Sequence, residues 1–354
     1  MSVNEKMTAI ADGVRTLSGE SGKMGLDAMS EKIATANTTV DGQSDLIHQI
    51  KVALRGKAAG GGDGADNNAV LKAIVEGATT EIRLPNGIEN IKKYLYYQDT
   101  NLTNIQGYDV NTVGNRAFYG CNALTSFTFP AINNISDYAF HGCKALAIPQ
   151  LPECMQSIGE YAFYNCSNLA WTVLPQAIST IKNYTFYGCT KLALMSLPTN
   201  TQSIGTYAFY GCKNITLTEL PNSIQTIGTY AFYGCNNITL TSLPENLKLV
   251  AKSAFNGCTS LTSILIHEST YHIASYGFSD CSTLSTLILK RKESVVELEN
   301  KNAFNGTPIG NKQGYIYVPS ALIEEYKTTT NWSTYANQFR AIEDYPDVCG
   351  GTQV

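Results

Sequence analysis

The amino-acid sequence predicts an α+β repeat fold, a solenoid whose repeats of about 23 residues each add one short strand to a parallel sheet. Three observations predict it. The motif Ile-x-x-x-Ala-Phe-x-x-Cys-x-x-Leu returns along most of the chain, a strand-favouring run ending in Leu-Pro follows many copies, and the first 55 residues lack it. A repeat of this length cannot bury its apolar face alone, whereas stacked repeats bury one continuous core.

The first element is a small α-helical segment, predicted over residues 1–55 to oligomerise or to dock on a partner. Three groups of apolar residues recur there at helical spacing, beginning with Met7, Ile10 and Val14. Three short helices bury too little apolar surface to be stable alone, so association is expected. Residues 56–66 are rich in glycine and predict a flexible linker between this segment and the repeats.

The repeats occupy residues 67–345, and the apolar motif positions predict a core that runs through all of them. Large and small residues recur side by side, as interdigitated layers require. The core ladder predicted for the central repeats consists of Phe163, Phe186, Phe209, Phe232, Cys166, Cys189, Cys212 and Cys235. In one of these repeats the run Thr216–Leu220 favours a strand, which Pro221 ends because proline cannot donate to a ladder.

Eight of the ten cysteines share one repeat position, and their spacing of 22 or 23 residues is not a metal-ligand pattern. Free cysteine is among the most buried residue types, so we expect inert packing in successive layers. A core that needs reduced thiols predicts folding in a reducing compartment. Cys154 and Cys349 lie outside this position, and whether they are reactive depends on their exposure.

The repeats resemble the BspA-like leucine-rich repeat family, whose copies carry the Ala-Phe-x-x-Cys-x-x-Leu signature and a Leu-Pro strand end. The resemblance covers residues 70–345 and implies a leucine-rich repeat solenoid. It also implies caps at both ends, since terminal repeats of such stacks are atypical. The N-terminal cap spans about residues 67–110, where Tyr96 and Asp99 replace the motif phenylalanine and cysteine. The C-terminal cap spans about residues 311–345, and residues 346–354 form a tail.

The N-terminal segment, in particular Asn4–Arg15 and Leu26–Ile33, resembles the opening of tail-associated proteins of phages and prophages of Gram-positive bacteria. This implies a virion component made in the bacterial cytoplasm, a homo-oligomer, and contacts with other tail proteins through residues 1–55. The chain does not begin with a basic stretch and an apolar run, so no standard export is expected. A bacterial cell-surface adhesin of the same repeat family, which would need export, and a structural spacer without a ligand remain alternatives.

Composition and motifs argue against several other functions. A net charge of −4 with 15% charged residues disfavours a nucleic-acid partner. No apolar run reaches the ~18 residues of a membrane helix, so membrane insertion is not expected. The four histidines fall in no catalytic or metal-binding motif, and Glu293, Glu297 and Glu299 read as a solvated face. We therefore expect no enzyme activity, cofactor or metal.

Two surfaces are candidates for binding a bacterial surface glycan or protein. Tyrosines flank the inward Ala-Phe pair, and a rigid ring with a polar tip suits sugar or protein recognition. The alternative is that these rings only stack on one another and cover the turns. The second candidate is the strand face, whose small polar side chains suit carbohydrate. The residues concerned are Tyr164, Tyr187, Tyr210, Tyr233, Thr218, Glu219, Thr241 and Ser242.

Overall fold

The structure, a computed structural model, describes residues 81–84 and 86–349. The predicted helical segment, the linker and the first part of the N-terminal cap lie outside these residues. The described chain is a solenoid of short parallel strands with little helix, as the repeat period predicts. Each turn stacks directly on the previous one, and a single apolar core runs along the axis.

One row of strands precedes the Ala-Phe pair, and each of its strands has two residues, of which the second is buried. All pairings in the row are parallel and join consecutive repeats, as in Ile204 beside Ile227. The row consists of β2 (Asn90–Ile91), β4 (Thr112–Val113), β6 (Asn134–Ile135), β7 (Ser157–Ile158), β8 (Thr180–Ile181), β9 (Ser203–Ile204), β10 (Thr226–Ile227), β11 (Leu249–Val250), β13 (His272–Ile273) and β15 (Glu297–Leu298).

A second row of strands follows the motif cysteine, but it is regular only towards the two ends of the solenoid. The N-terminal part is a three-stranded parallel sheet and the C-terminal part a four-stranded one. Its strands are β1 (Glu81–Arg83), β3 (Asn104–Gln106), β5 (Ser126–Thr128), β12 (Ser263–Ile266), β14 (Thr286–Leu289), β16 (Tyr315–Val318) and β17 (Phe339–Ala341).

The strand predicted at Thr216–Leu220 is therefore misplaced, although the parallel solenoid itself is confirmed. Leu217 and Leu220 are both buried with two exposed residues between them. A strand alternates inward and outward side chains with a period of two, which this spacing does not allow. In β12 only one residue separates the buried Ile264 and Ile266, so the alternation holds and the ladder forms.

The core is a stack of aromatic rings beside a column of thiols, as predicted. The motif phenylalanines are fully buried, and consecutive ring centroids lie 5.6 Å apart from Phe186 to Phe209 and 5.4 Å from Phe209 to Phe232. Each thiol of the column also donates a hydrogen bond to the carbonyl of the stacked aromatic residue in the preceding repeat, for example Cys212 Sγ to Phe186 O at 3.0 Å. The cysteines therefore also link successive turns.

The thiols provide a direct test of this packing. Nine of the ten free cysteines are buried and Cys154 is exposed. Burial raises the pKa of Cys166, Cys189 and Cys212, and the reactive species is the thiolate. We expect one thiol of the folded chain to react rapidly with an aromatic disulfide reagent at neutral pH, and all ten in denaturant. Cys154→Ser should abolish the fast phase, and several fast thiols would contradict the packing.

The C-terminal end closes the core column. The closing elements are 3-10 helices Ser320–Leu322 and Trp332–Gln338 with helix α1 (Ile323–Thr328) between them. Trp332 is fully buried, and its Nε1 donates to the carbonyl of Val296 at 2.7 Å. The hydroxyl of Tyr326 accepts from the N–H of Val296 at 3.0 Å. Phe304, the last ring of the stack, lies under Trp332 with centroids 5.9 Å apart.

The end of the cap and the first residues of the tail pack back onto the solenoid. They form the 3-10 helix Ile342–Asp344 and helix α2 (Pro346–Cys349). Another 3-10 helix, Lys301–Phe304, lies in the last repeat. Cys349 is 2% exposed and joins Ile288 and Tyr317 in a second apolar cluster. Burial raises the pKa of this thiol. Of the two cysteines outside the repeat position, only Cys154 is accessible.

Candidate functional site

Two columns of stacked side chains run along the surface, one on each side of the buried Ala-Phe pairs. Ladder A is formed by the residues that follow the motif phenylalanine or the residue in its place, namely Tyr97, Tyr119, His141, Tyr164, Tyr187, Tyr210 and Tyr233. Ladder B is formed by the residues that precede the motif alanine or the residue in its place, namely Tyr94, Arg116, Tyr138, Tyr161, Tyr184, Tyr207 and Tyr230.

The backbone turn of each repeat brings the two ladders together. Tyr207 has φ +55° and Gly211 has φ +70°, so each turn uses the left-handed region twice. For a tyrosine this conformation costs about 1 kcal/mol or more, whereas glycine adopts it freely. The turn places Tyr207 and Tyr210 on the same side, with ring centroids 5.6 Å apart and planes tilted by 46°. The ladders therefore form one double row of rings.

The rings within each ladder stack face to face. In ladder A the centroids of Tyr164 and Tyr187 are 4.5 Å apart, and those of Tyr187 and Tyr210 are 4.6 Å apart. The angles between planes are 6° and 3°. Tyr233 continues the row at 4.6 Å. All four predicted ladder residues are half-buried, and the inner rings present edges and hydroxyls to solvent because neighbouring rings cover their faces.

This geometry favours the stacking interpretation of the tyrosines and limits how they can bind. A sugar cannot lie on the face of an inner ring, since both faces are occupied. What remains is a row of phenolic hydroxyls, each able to donate and accept a hydrogen bond. The ladders end at Tyr230 and Tyr233 because Ser253 and Asn256 occupy the corresponding positions of the next repeat.

Two non-tyrosine residues belong to the ladders and were not predicted. The guanidinium of Arg116 lies 4.2 Å from the ring centroid of Tyr138 and replaces a ring in ladder B. His141 stacks between Tyr119 at 4.3 Å and Tyr164 at 4.6 Å in ladder A. Partial burial lowers the pKa of His141, and the charge of Arg116 acts in the same direction. Their positions in the repeat were the available signal, because each aligns with a tyrosine of the neighbouring copies.

The second predicted surface is a strip of side chains that occupies, in the central repeats, the positions where the second row of strands forms nearer the two ends. Thr218, Glu219 and Thr241 are exposed, and Ser242 is partly exposed and bridges to Leu265 of the next repeat. The exposed Met195 extends the strip in the preceding repeat. The two consecutive outward residues that prevent a strand here also widen the polar surface. The strip is accessible as predicted, and its role in binding is a prediction.

Two acidic side chains near the C-terminal end contact groups of the preceding repeat. His272 Nδ1 lies 3.1 Å from Glu297 Oε2 across β13 and β15. Glu299 accepts the N–H of Ser275 at 2.7 Å, and this hydrogen bond lowers the pKa of Glu299. Among residues 81–84 and 86–349, no three His, Cys, Asp or Glu side chains are grouped to hold a metal. Within the same residues, no helix has the length and hydropathy that crossing a membrane requires.

Ladder stacking has a consequence at alkaline pH. Burial raises the pKa of Tyr161 to about 12, and the neighbouring hydroxyls of Tyr184 and Tyr138 make smaller contributions in the same direction. Tyr187, Tyr207 and Tyr210 shift in the same direction. Unfolded tyrosines ionise near pH 10, so above this pH the unfolded chain loses protons that the folded chain retains.

We therefore expect stability to be constant below pH 10 and to fall between about pH 10 and 12 as far as the ladders contribute. Near-ultraviolet absorbance of phenolate should show late ionisation of the folded chain compared with the chain in denaturant. Phenylalanine variants of Tyr161 and Tyr187 should remove part of the late-ionising signal. Identical titration curves for the folded and denatured chains would contradict the stacked arrangement.

Comparison with known proteins agrees with this architecture. The sequence matches the family model described as BspA type leucine-rich repeat region in six copies, at residues 75–193, 111–239 and 202–315. Together these matches span residues 75–315, well over half of the 354 residues. No curated protein sequence matches the chain significantly.

Several solved leucine-rich repeat structures are similar. A Bacteroides ovatus leucine-rich repeat protein is 24% identical over 74% of this chain and 83% of its own, with a TM-score of 0.43. A leucine-rich cell surface protein of Faecalibacterium prausnitzii is 20% identical over 78% and 92%, with a TM-score of 0.46. The pneumococcal vaccine antigen PcpA is 21% identical over 74% and 77%, with a TM-score of 0.46. By its six matching repeats, the chain belongs to the BspA-type leucine-rich repeat family.

Proposed function

We propose that this protein is a non-catalytic binding protein that attaches to a bacterial surface through an extended face of its solenoid, with a glycan or a protein as ligand. The observation that carries the proposal is the double row of half-exposed, stacked rings that continues from Tyr94 to Tyr233. Membership of the BspA-type repeat family supports a binding role at a cell surface.

Stacking preorganises the tyrosine side chains of the ladders, so their hydroxyls are already held in place before a ligand binds. Ordering a free side chain on association costs about 0.5–1.5 kcal/mol, and rings already held by their neighbours avoid much of this cost. The rings of Tyr187, Tyr210 and Tyr233, each of which carries a hydroxyl, recur at a centroid spacing of 4.6 Å. A repetitive ligand can therefore make the same hydrogen bond to each of several successive turns. Individual contacts of this kind are weak, and their number provides the affinity.

Near-identical repeats support a repetitive ligand. Thr206–Pro221 and Thr229–Pro244 differ at only two positions, Lys213 against Asn236 and Glu219 against Ser242. Successive turns therefore present nearly the same surface in ladders A and B and in the strip. A surface polysaccharide, whose units recur along the chain, fits such a face better than a compact ligand with one epitope.

The test is attachment of the full chain to Gram-positive cells and to polysaccharide isolated from their walls. Changing Tyr187, Tyr210 and Tyr233 together to phenylalanine keeps the stacked rings and removes three hydroxyls of ladder A. We expect at least a tenfold loss of affinity. The matched variant changes Thr218 and Thr241 to alanine on the strip and should bind nearly as the original chain does.

Loss of binding by the threonine variant, with binding retained by the tyrosine variant, would indicate that the ligand binds the strip and not the ladders. Unchanged attachment by both variants would exclude both surfaces as the binding site, and failure of the original chain to attach would favour a structural spacer without a ligand. Circular dichroism and thermal unfolding of each variant must match the original chain, so that a loss of binding is not a loss of fold.

More specifically, we propose that the protein is a tail-associated protein of a phage or prophage. Its N-terminal segment would connect it to other tail proteins. This proposal is supported by the sequence of Asn4–Arg15 and Leu26–Ile33, which lies outside the described residues. A cell-surface adhesin is the alternative that family membership supports. Antibody labelling distinguishes them, since an adhesin appears on intact producing cells and a tail protein appears on particles released by lysis.

Light scattering tests the oligomer that this proposal includes. The full chain should have a multiple of the monomer mass of 38.4 kDa, and a chain that starts at Asp66 should be a monomer. If both chains are monomers, residues 1–55 have no role in self-association. Docking on a separate tail protein would then be the only form of the proposal left to test.

A further inference from the structure

We propose that ladders A and B are sites of oxidative cross-linking within the chain, at which tyrosines of neighbouring repeats are joined through a carbon–carbon bond as dityrosine. The proposal rests on the ring geometry and is independent of any ligand. In ladder B, Tyr161 lies 4.5 Å from Tyr138 and 4.4 Å from Tyr184, with planes within 8° of parallel. Ladder A repeats this arrangement from Tyr164 to Tyr233.

This geometry brings the reacting carbons together. Dityrosine forms between ring carbons ortho to the hydroxyl, and nearly parallel rings at these distances hold those carbons of one ring against the next. Holding two reactants in contact replaces a bimolecular encounter with an intramolecular step, which strongly favours reaction between neighbours. The ladder rings are half-buried, with edges and hydroxyls at the surface where an oxidising enzyme can reach them, whereas the phenylalanine stack beneath them is fully buried.

The reaction requires a one-electron oxidant, which we identify as hydrogen peroxide acting through a haem peroxidase. Each of two phenols loses one electron and one proton and becomes a tyrosyl radical. The two radicals form a bond between their ortho carbons. Each of these carbons then loses its hydrogen as a proton, and each oxygen gains a proton, which restores the two aromatic phenols. The two electrons and two protons removed reduce one hydrogen peroxide to two waters. The chain loses two hydrogens for each cross-link.

Tyrosines outside the ladders lack a suitable partner. Tyr315 is exposed, but its ring lies under the guanidinium of Arg340 at 4.6 Å. Tyr345 meets Tyr317 edge-on, with planes at 72°. Tyr271 is exposed and has no ring contact within the described residues. Cross-links within the chain should therefore be confined to ladders A and B.

Cross-links along the ladders would join turns that otherwise touch only through packing and hydrogen bonds. A solenoid unfolds by separating neighbouring repeats, so a covalent bond between adjacent turns opposes that step directly. The oxidised chain should unfold at a higher temperature than the untreated chain. A surface-exposed repeat protein would gain resistance to unfolding under the same oxidising conditions that form the bond.

The experiment treats the dilute full chain with a haem peroxidase and hydrogen peroxide and maps the products by trypsin digestion and mass spectrometry. Cleavage at Lys144, Lys182, Lys191, Lys213 and Lys248 places the ladder tyrosines of four successive repeats in separate peptides. These peptides are residues 145–182, 183–191, 192–213 and 214–248. We expect dityrosine fluorescence, a chain of monomer mass, and cross-links joining each peptide to the next.

A double variant tests the assignment to particular rings. Tyr184→Phe with Tyr187→Phe removes both hydroxyls of one repeat while keeping the stack. Both cross-links to peptide 183–191 should disappear, and the link between 192–213 and 214–248 should persist, which also shows that the variant is folded. The matched control, Tyr271→Phe with Tyr345→Phe, should leave the pattern unchanged.

Three results would overturn the proposal. One is cross-links mainly between different molecules, seen as dimers whose yield rises with protein concentration. Another is cross-links that involve Tyr271, Tyr315 or Tyr345 as often as ladder tyrosines. The third is a pattern dominated by bonds within a single peptide, such as Tyr161 to Tyr164, whose rings are 5.8 Å apart and tilted by 38°.

Discussion

Phe209→Ala is expected to lower the free energy of unfolding by about 3–5 kcal/mol, the range for removing a buried aromatic ring from a core that cannot close around the space. Phe209 is fully buried between Phe186 and Phe232. The turns on either side are held at fixed spacing by backbone hydrogen bonds, including Phe209 N–H to Ala231 O at 2.8 Å. The cavity therefore persists. Urea unfolding of the full chain measures the loss.

The next residue is a matched control. Tyr210 has a ring of similar size in ladder A, but it is half-buried and its edge faces solvent. Tyr210→Ala should cost about 1 kcal/mol, chiefly the stacking with two neighbouring rings. Equal losses for the two variants would show that the surface ladder contributes as much to stability as the buried stack, contrary to their difference in burial.

Trp332→Ala is expected to have a similarly large effect, about 3–5 kcal/mol, for a different reason. Trp332 covers Phe304, the last ring of the buried stack, and packs against Tyr326 at 5.5 Å. Removing the indole opens the end of the apolar column to water and deprives the carbonyl of Val296 of its donor. Because each repeat depends on its neighbour, opening should begin at this end.

Hydrogen exchange should detect that opening as loss of protection at β14 and β16, while the central repeats keep theirs. Trp332→Phe separates the two contributions, since it retains an aromatic ring and removes the indole N–H. An unsatisfied buried acceptor costs about 1–3 kcal/mol, so this variant should be intermediate. A change below about 1 kcal/mol for Trp332→Ala, with protection intact at β16, would show that the cap does not hold the end of the solenoid.

The repeat period in the sequence was sufficient to predict the solenoid and its buried positions. Ile204, Ala208 and Phe209 recur at fixed spacing, and they are all buried because a stack of identical turns must place equivalent side chains in the same environment. The same argument predicted that the cysteines are buried. Their hydrogen bonds were not predictable, since the distance from Cys212 Sγ to Phe186 O depends on how one turn sits over another.

The position of the strands shows where the pattern was insufficient. Composition favoured Thr216–Leu220, but the residues that form a ladder are Ser203–Ile204. The sequence contains the reason, because two residues separate Leu217 from Leu220 and only one separates Ile264 from Ile266. The effect of this spacing on the strands becomes evident only when the backbone shows which side chains point inward.

The sequence by itself determined which side chains recur at each turn, and therefore the fold, the core and the existence of tyrosine columns at the surface. Only the tertiary structure decided how the rings of those columns are oriented. The spacing and rotation between turns bring the rings of Tyr187 and Tyr210 to 4.6 Å and nearly parallel, so that edges and hydroxyls, not faces, meet the solvent. Sequence periodicity fixes the order of side chains along the axis, whereas the packing of one turn on the next fixes their orientation.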